Sequence, residues 1–284
     1  MSRLRAAAPA KVNLCLYLGE RRPDGLHDLV SVVQPLDLAD ELTLEPAGRD
    51  EVICPGVEGE NLAERALGAY GGGPHRLTID KRIPVAAGMG GGSSDAATAL
   101  RLAAHAAGHP DDPGLPDLAA ALGSDVTALL HTRATLVTSA GEDATALTGP
   151  PLARAARFAI LPSPARLSTR DVYAEADRLG LARSPDELAV RRAEVEAALG
   201  AGGLPAELVV NDLEPAARSL CPAIDDALAA ARDAGAAAQL VSGSGPTVVA
   251  LFPDPEAAAA LAGSWPEGAD AAPASPGLTR IREE

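Results

Sequence analysis

Residues 83–97, IPVAAGMGGGSSDAA, constrain the fold of this chain more than any other stretch. Gly88, Gly90, Gly91 and Gly92 free the backbone for positive φ and leave its N–H groups open to close approach. An Ala/Leu run follows at once, so the spacing predicts a loop feeding a helix from about Asp95 to Ala107, with Ser93 or Ser94 as N-cap. The first N–H groups of such a helix have no partner inside it and carry partial positive charge. The junction is therefore a cradle for an anion, a phosphate above all. It is not a Walker loop, because no Gly-Lys-Ser/Thr follows and the loop brings no lysine of its own. A flexible glycine linker is the plainer reading. Against it, the run is short and lies between a strand-like segment, residues 76–85, and a helix.

Around this junction the pattern alternates between strands and helices. Residues 10–18 have period two, with Val12, Leu14, Leu16 and Leu18 on one face and Lys11, Asn13, Cys15 and Tyr17 on the other. The plain expectation for Lys11 is a solvated edge lysine. Arg22-Pro23-Asp24-Gly25 has turn chemistry and delivers Leu26 and His27 to the next segment. Further strands are expected at 31–38, 41–45, 134–139, 158–161, 238–241 and 247–252. Helices are expected at 61–70, 116–122, 126–131, 168–179, 184–199, 212–220, 223–234 and 255–264. Without strict βαβ alternation, the fold class is α+β. Gly149-Pro150-Pro151 breaks the pattern and suggests two domains, 1–152 and 153–284. Residues 242–246, SGSGP, join two apolar segments; they read as a hairpin connection or as a brace over the first glycine loop. The last twenty residues, rich in Pro, Ala and Gly, are expected to be partly loose.

Charge narrows the function. With 24 basic against 39 acidic residues the net charge is -15, which repels nucleic acid and anionic membrane at long range, so neither is an expected partner. An anionic substrate would need a local basic pocket. The N-terminus lacks a signal-like apolar stretch, and no apolar run reaches the roughly 18 residues of a membrane span. Cys15, Cys54 and Cys221 are far apart, odd in number and without metal spacing. They read as reduced thiols in cytoplasm. The sequence leaves the oligomeric state open.

A phosphate cradle used for transfer asks for a base, a cation and an acceptor pocket. Asp125, near the start of a short helix, is the leading base candidate. An ordinary N-cap is its other reading, and the two are compatible. Lys11 and His27 are weak signals taken singly.

Taken together the motifs are more specific. Pro9-Ala10-Lys11-Val12-Asn13-Leu14, residues 84–97 and residues 241–247 resemble, in order and spacing, the three motifs of the galactokinase, homoserine kinase, mevalonate kinase and phosphomevalonate kinase (GHMP) superfamily. Within it the chain is similar to the 4-diphosphocytidyl-2-C-methyl-D-erythritol kinase family of the non-mevalonate isoprenoid pathway. That likeness rests on residues 22–27, Gln34 with Leu36-Asp37-Leu38, Gly123-Ser124-Asp125-Val126, Ser168-Thr169 with Val172-Tyr173, and Asn211-Asp212-Leu213-Glu214.

The resemblance implies a ribosomal-protein-S5-like N-terminal domain, a ferredoxin-like C-terminal domain and an active site between them. It implies ATP held by Pro84, Gly88, Gly90, Gly91, Gly92, Ser93 and Ser94, with Mg²⁺ arriving on the nucleotide and Ser94 its one candidate protein ligand. Asp125 would take the proton from the substrate's 2-hydroxyl with Lys11 beside it. Asn13, His27, Thr169, Tyr173 and Gly243 would contact the diphosphocytidyl substrate, and Tyr173 would stack on its cytosine. Leu26 stands where the family has Tyr or Phe, which gives up about 0.5–1.5 kcal/mol of stacking. Two alternatives remain: another GHMP-type kinase, acting on homoserine or mevalonate, and a non-catalytic nucleotide sensor of the same fold. His27 with Tyr173 speaks against the first, and Lys11 with Asp125 against the second.

Overall fold

Alternating small and branched apolar side chains keep most of the first 46 residues extended, folded back once on a tight turn. The computed structural model describes residues 3–57, 59–85, 87–152, 156–266, 268–274 and 280–284. Strands β1 (Leu4–Arg21) and β2 (His27–Pro46) form a long antiparallel hairpin. Its turn is closed by Arg22 N–H to the Leu26 carbonyl at 2.7 Å and by Gly25 N–H to the Arg22 carbonyl at 3.0 Å. Gly25 has φ +88°, which only glycine adopts at little cost.

Two register slips make this hairpin differ from its sequence pattern. Pro9 faces Ala39 but Lys11 faces Pro35, so residues 36–38 bulge from β2, and the two strands expected at 31–38 and 41–45 are one. Asn13 faces Val33 and Cys15 faces Val32, which leaves Leu14 as an extra residue in β1. The extra residue swaps the faces. Val12 and Leu14 share a core with Cys15 and Tyr17, whereas Leu16 and Leu18 enter a different one. The single-face reading of residues 12–18 is corrected accordingly.

The first sheet continues with β3 (Glu51–Ile53), β4 (His75–Asp80), β5 (Thr135–Thr138) and β6 (Asp143–Ala146); β3 and β6 have no counterpart in the sequence reading. Helices α1 (Leu62–Tyr70), α2 (Gly91–Ala106), α3 (Leu115–Leu122) and α4 (Ser124–Leu130) cover it. Alanine-rich α2 is central: Ala96, Ala97, Leu100, Ala103 and Ala104 pack on Leu42, Leu44, Leu77 and Ile79. Small side chains allow that close approach on nearly all sides of the helix.

The second sheet comprises β7 (Arg157–Leu161), β8 (Ala238–Val241), β9 (Val248–Phe252) and β10 (Asp270–Pro273), antiparallel in the order β10-β7-β9-β8. Helices α5 (Thr169–Leu179), α7 (Glu214–Leu220), α8 (Ile224–Asp233) and α9 (Pro255–Ser264) share a core with one of its faces, in a ferredoxin-like arrangement. Period-two alternation sends Phe158, Ile160, Val249 and Leu251 to the other face. There they meet β1, β2 and Val195 of α6 (Pro185–Gly200), so one core joins both halves. The chain ends in β11 (Arg282–Glu283), which pairs with β1. β10 and β11 are ordered parts of the stretch expected to be loose, while residues 275–279 lie outside the described residues. So do residues 153–155, at the expected domain boundary. Among the described residues no helix is long and apolar enough to cross a membrane.

Candidate active site

Lys11 is brought inside by β1. Its backbone N–H donates to the Met89 carbonyl at 2.9 Å, and the residue is 3% exposed, so the edge-lysine expectation fails. The ammonium donates to Asn13 Oδ1 at 2.8 Å and lies 3.3 Å from Asp125 Oδ2. Asn13 Nδ2 donates to Ser31 Oγ at 2.8 Å, and Ser31 Oγ to the Cys15 carbonyl at 2.7 Å. This chain fixes the Asn13 amide with its oxygen toward Lys11 and so points the ammonium at Asp125. Gly90 is required here, because a Cβ would lie 2.8 Å from Lys11 Cγ.

Asp125 sits in the first turn of α4 and makes no capping bond; Gly123 is the N-cap. The capping reading is therefore dropped. The carboxylate is 40% exposed and faces the cleft.

The glycine loop forms the helix start expected of it, four residues early. Gly90, at φ +68°, is the N-cap, and α2 begins at Gly91, with the first helical bond running from Ser94 N–H to the Gly90 carbonyl. Neither Ser93 nor Ser94 caps the helix. The N–H groups of Gly91, Gly92 and Ser93 precede the first helical acceptor and point out of the helix. Ser94 is turned inward, with its Oγ buried and without a hydrogen-bond partner among the described residues. Ala86, inside the loop, lies outside the described residues.

The 242–246 loop is both a hairpin connection and a brace. Val241 pairs with Val248 across it, and Ser242 Oγ donates to the Gly88 carbonyl at 3.1 Å. Asn211 Nδ2 holds the Val241 and Gly243 carbonyls, each at 2.7 Å. Gly243 stands 3.4 Å, by its missing Cβ, from Lys11 Nζ.

Lys11, Asn13, Asp125, Pro84, Gly88, Gly90 to Ser93, Thr169, Tyr173 and Gly243 line one cleft of about 460 Å³ between the two sheets. Ser94, Leu26 and His27 do not line it. Leu26 projects from the hairpin turn, 54% exposed. His27 is buried, with Nε2 2.7 Å from Asp177 Oδ1 and its ring 5.3 Å from that of Tyr173, tilted by 47°. Burial, and then the nearby charge of Asp125, push the Tyr173 hydroxyl up to about 12, so it stays neutral.

A third ionic group escaped the sequence. Lys81 reaches both Asp95 Oδ2, at 2.8 Å, and Asp40. The second Asp40 oxygen accepts from Arg82 N–H at 2.6 Å and Ile83 N–H at 2.8 Å. Burial raises the Asp95 carboxyl to about 7, against the pull of Lys81. Burial also opposes the Lys81 charge, but Asp95 and Asp40 more than offset it and raise the ammonium. These residues come from β2, the end of β4 and α2, and no local spacing joins them.

Two matched regions decide the family: residues 60–133 fit the GHMP kinases N terminal domain and residues 192–271 the GHMP kinases C terminal domain. A 4-diphosphocytidyl-2-C-methyl-D-erythritol kinase of Kineococcus radiotolerans is 41% identical over 92% of this chain and 85% of its own. The chain belongs to that family of GHMP kinases. A kinase of the same name from Streptomyces avermitilis is 41% identical over 89% of each chain. A crystal structure of a 4-(cytidine 5'-diphospho)-2C-methyl-D-erythritol kinase superposes with TM-score 0.75 at 35% identity, covering 94% of this chain and 98% of that one. A GHMP kinase uses ATP, and a helix start such as that of α2 has the chemistry that suits phosphates.

Proposed function

We propose that this GHMP kinase transfers the γ-phosphoryl group of ATP to the 2-hydroxyl of 4-diphosphocytidyl-2-C-methyl-D-erythritol. The observation that carries the reading is Asp125, partly exposed and 3.3 Å from the buried Lys11 ammonium, in the same cleft as the N–H groups at the start of α2, which have no acceptor within the helix. The phosphates rest on Gly91, Gly92 and Ser93. The substrate hydroxyl loses its proton to Asp125 as its oxygen bonds to the γ-phosphorus and the bond to the β-phosphate oxygen breaks. Lys11, 3.3 Å away, holds the carboxylate in place to accept this proton. Asn13 and Gly243, next to Lys11, contact the acceptor, and Thr169 and Tyr173 close the cleft from the second half. With Tyr173 neutral, its ring is an apolar wall for the cytosine.

The nucleotide would bring its magnesium with it. Among the described residues no group of three His, Cys, Asp or Glu side chains could cage it, and the buried Ser94 hydroxyl, unpartnered among those residues, would reach it only by turning toward the cleft. When bound, the ion supplies charge neutralisation at the β- and γ-phosphates. In this reading residues 1–152 bind ATP and residues 153–284 bind the acceptor, in the cytoplasm.

ADP release measured in parallel with the diphosphocytidyl substrate, homoserine and mevalonate tests this. Turnover confined to the first is expected, and none with the first overturns the reading.

A further inference from the structure

Lysine is nearly absent from this chain: of 24 basic residues, Lys11 and Lys81 are the two lysines and the rest are arginines. Both side chains are largely buried, and both touch the glycine loop, Lys11 against Gly90 and Lys81 against Gly91. A chain that otherwise uses arginine places a compact ammonium at these two points. A guanidinium is larger, planar and suited to fork-like pairing rather than to a tight pocket. A Cβ on Gly91 would lie 3.2 Å from Lys81 Nζ, so the glycine leaves the ammonium its space beside the loop.

Lys81 connects the two ends of the loop. Asp40 fixes the entry, through Arg82 N–H and Ile83 N–H. Asp95, in the second turn of α2, marks the exit, and Lys81 bonds to both carboxylates. The bridge lies below Gly91, where the unpaired N–H groups begin, and Lys81 and Asp95 both reach the cleft. Asp95 contributes one oxygen to Lys81 and leaves the other buried without a partner among the described residues. Three mostly buried charges are a poor device for stability alone, because desolvation offsets much of their attraction. They are well suited to holding a loop in one shape.

We propose that Lys81 is a nucleotide-positioning residue, clasping the two ends of the glycine loop through Asp40 and Asp95 and so fixing the N–H cradle for the phosphates of ATP. This rests on ATP binding at that cradle. The clasp acts on ATP and not on the acceptor, which separates it from a general packing role.

Lys81→Met keeps the stem length and removes the charge. The expected result is a KM for ATP raised about tenfold or more, with kcat and the KM of the diphosphocytidyl substrate within about threefold of wild type. Asp95→Asn keeps an oxygen for Lys81 but removes its charge, and should raise the KM for ATP in the same direction as Lys81→Met and by less. ATP binding is also measured by calorimetry on each protein, with folding checked by circular dichroism. A wild-type protein that binds no ATP overturns the proposed function. A folded Lys81→Met that binds ATP like wild type, or raises both KM values together, overturns the clasp alone. If Lys81→Met does not fold, Lys81→Met with Asp95→Asn removes one uncompensated carboxylate and is judged by the same criteria. If neither folds, Lys81 is a folding element and the proposal falls.

Discussion

Asp125 and Lys11 come from opposite ends of the first half of the chain, and each alone reads as an ordinary surface residue. Their pairing gives a partly exposed carboxylate a fixed cationic neighbour, as the proposed base requires. Asp125→Asn keeps the shape and removes the proton acceptor. We expect kcat to fall by about 10²–10⁴, the usual worth of a general base, with the KM for ATP little changed. Because the carboxylate is substantially exposed, the thermal midpoint should barely move. Unchanged kcat would return Asp125 to the status of a helix residue. Leu26 and His27 mark the limit of reading by residue type. The one projects into solvent and the other is committed to Asp177; of the three residues of that expected pocket Tyr173 alone, against whose ring His27 packs at a tilt, reaches the cleft.

At the scale of elements, the two glycine loops are one device. Gly88 has φ +72°, and a Cβ there would come within 2.3 Å of the Ser242 carbonyl oxygen, a backbone atom that cannot swing aside. Gly88→Ala should therefore part the loops. The backbone conformation alone costs about 1–2 kcal/mol, and the clash adds to it. Gly92 is the contrast, since nothing stands within 4 Å of its missing Cβ and its φ is not positive. Thermal melts of the two alanine variants should show a large loss for Gly88 and almost none for Gly92; equal losses would mean that the loops do not brace each other. The glycine pattern could be read as a loop feeding a helix, but its partner could not, because the contact joins residues about 150 positions apart. The helix start was misplaced for a local reason. Serine and aspartate after a glycine run look like caps, whereas a positive-φ glycine let the helix begin before them.

For the whole molecule, the shared core beneath the cleft sets how the halves meet. β1 begins under the helical layer of the first sheet and ends bonded to the second half, with Leu16 N–H on the Val210 carbonyl and Asp212 N–H on the Leu16 carbonyl. Lys11 thus sits on a strand common to both. Buried charge also gives the fold a pH signature. Asp95 has an ordinary value of 3.8 and a folded value of about 7. Between these the folded chain keeps a proton that the unfolded chain has lost, so this group's contribution to stability falls as pH rises from about 4 to about 7. Urea midpoints should show wild type losing stability relative to Asp95→Asn over that range, and a constant difference would contradict the assignment.

The sequence by itself determined the mixed α+β class, the helix after the glycine loop, the hairpin turn at Gly25 and the three motifs that announce a GHMP kinase. These depend on local chemistry: periodicity, positive φ and the composition of short runs. The tertiary structure decided which face of β1 each residue takes, because one extra residue at Leu14 reverses the alternation. It also decided that Lys11 is buried, and that Lys81 joins Asp40 to Asp95 beneath the phosphate cradle. The physical reason is that charge pairing and register depend on through-space distance, which residue spacing along a chain does not encode.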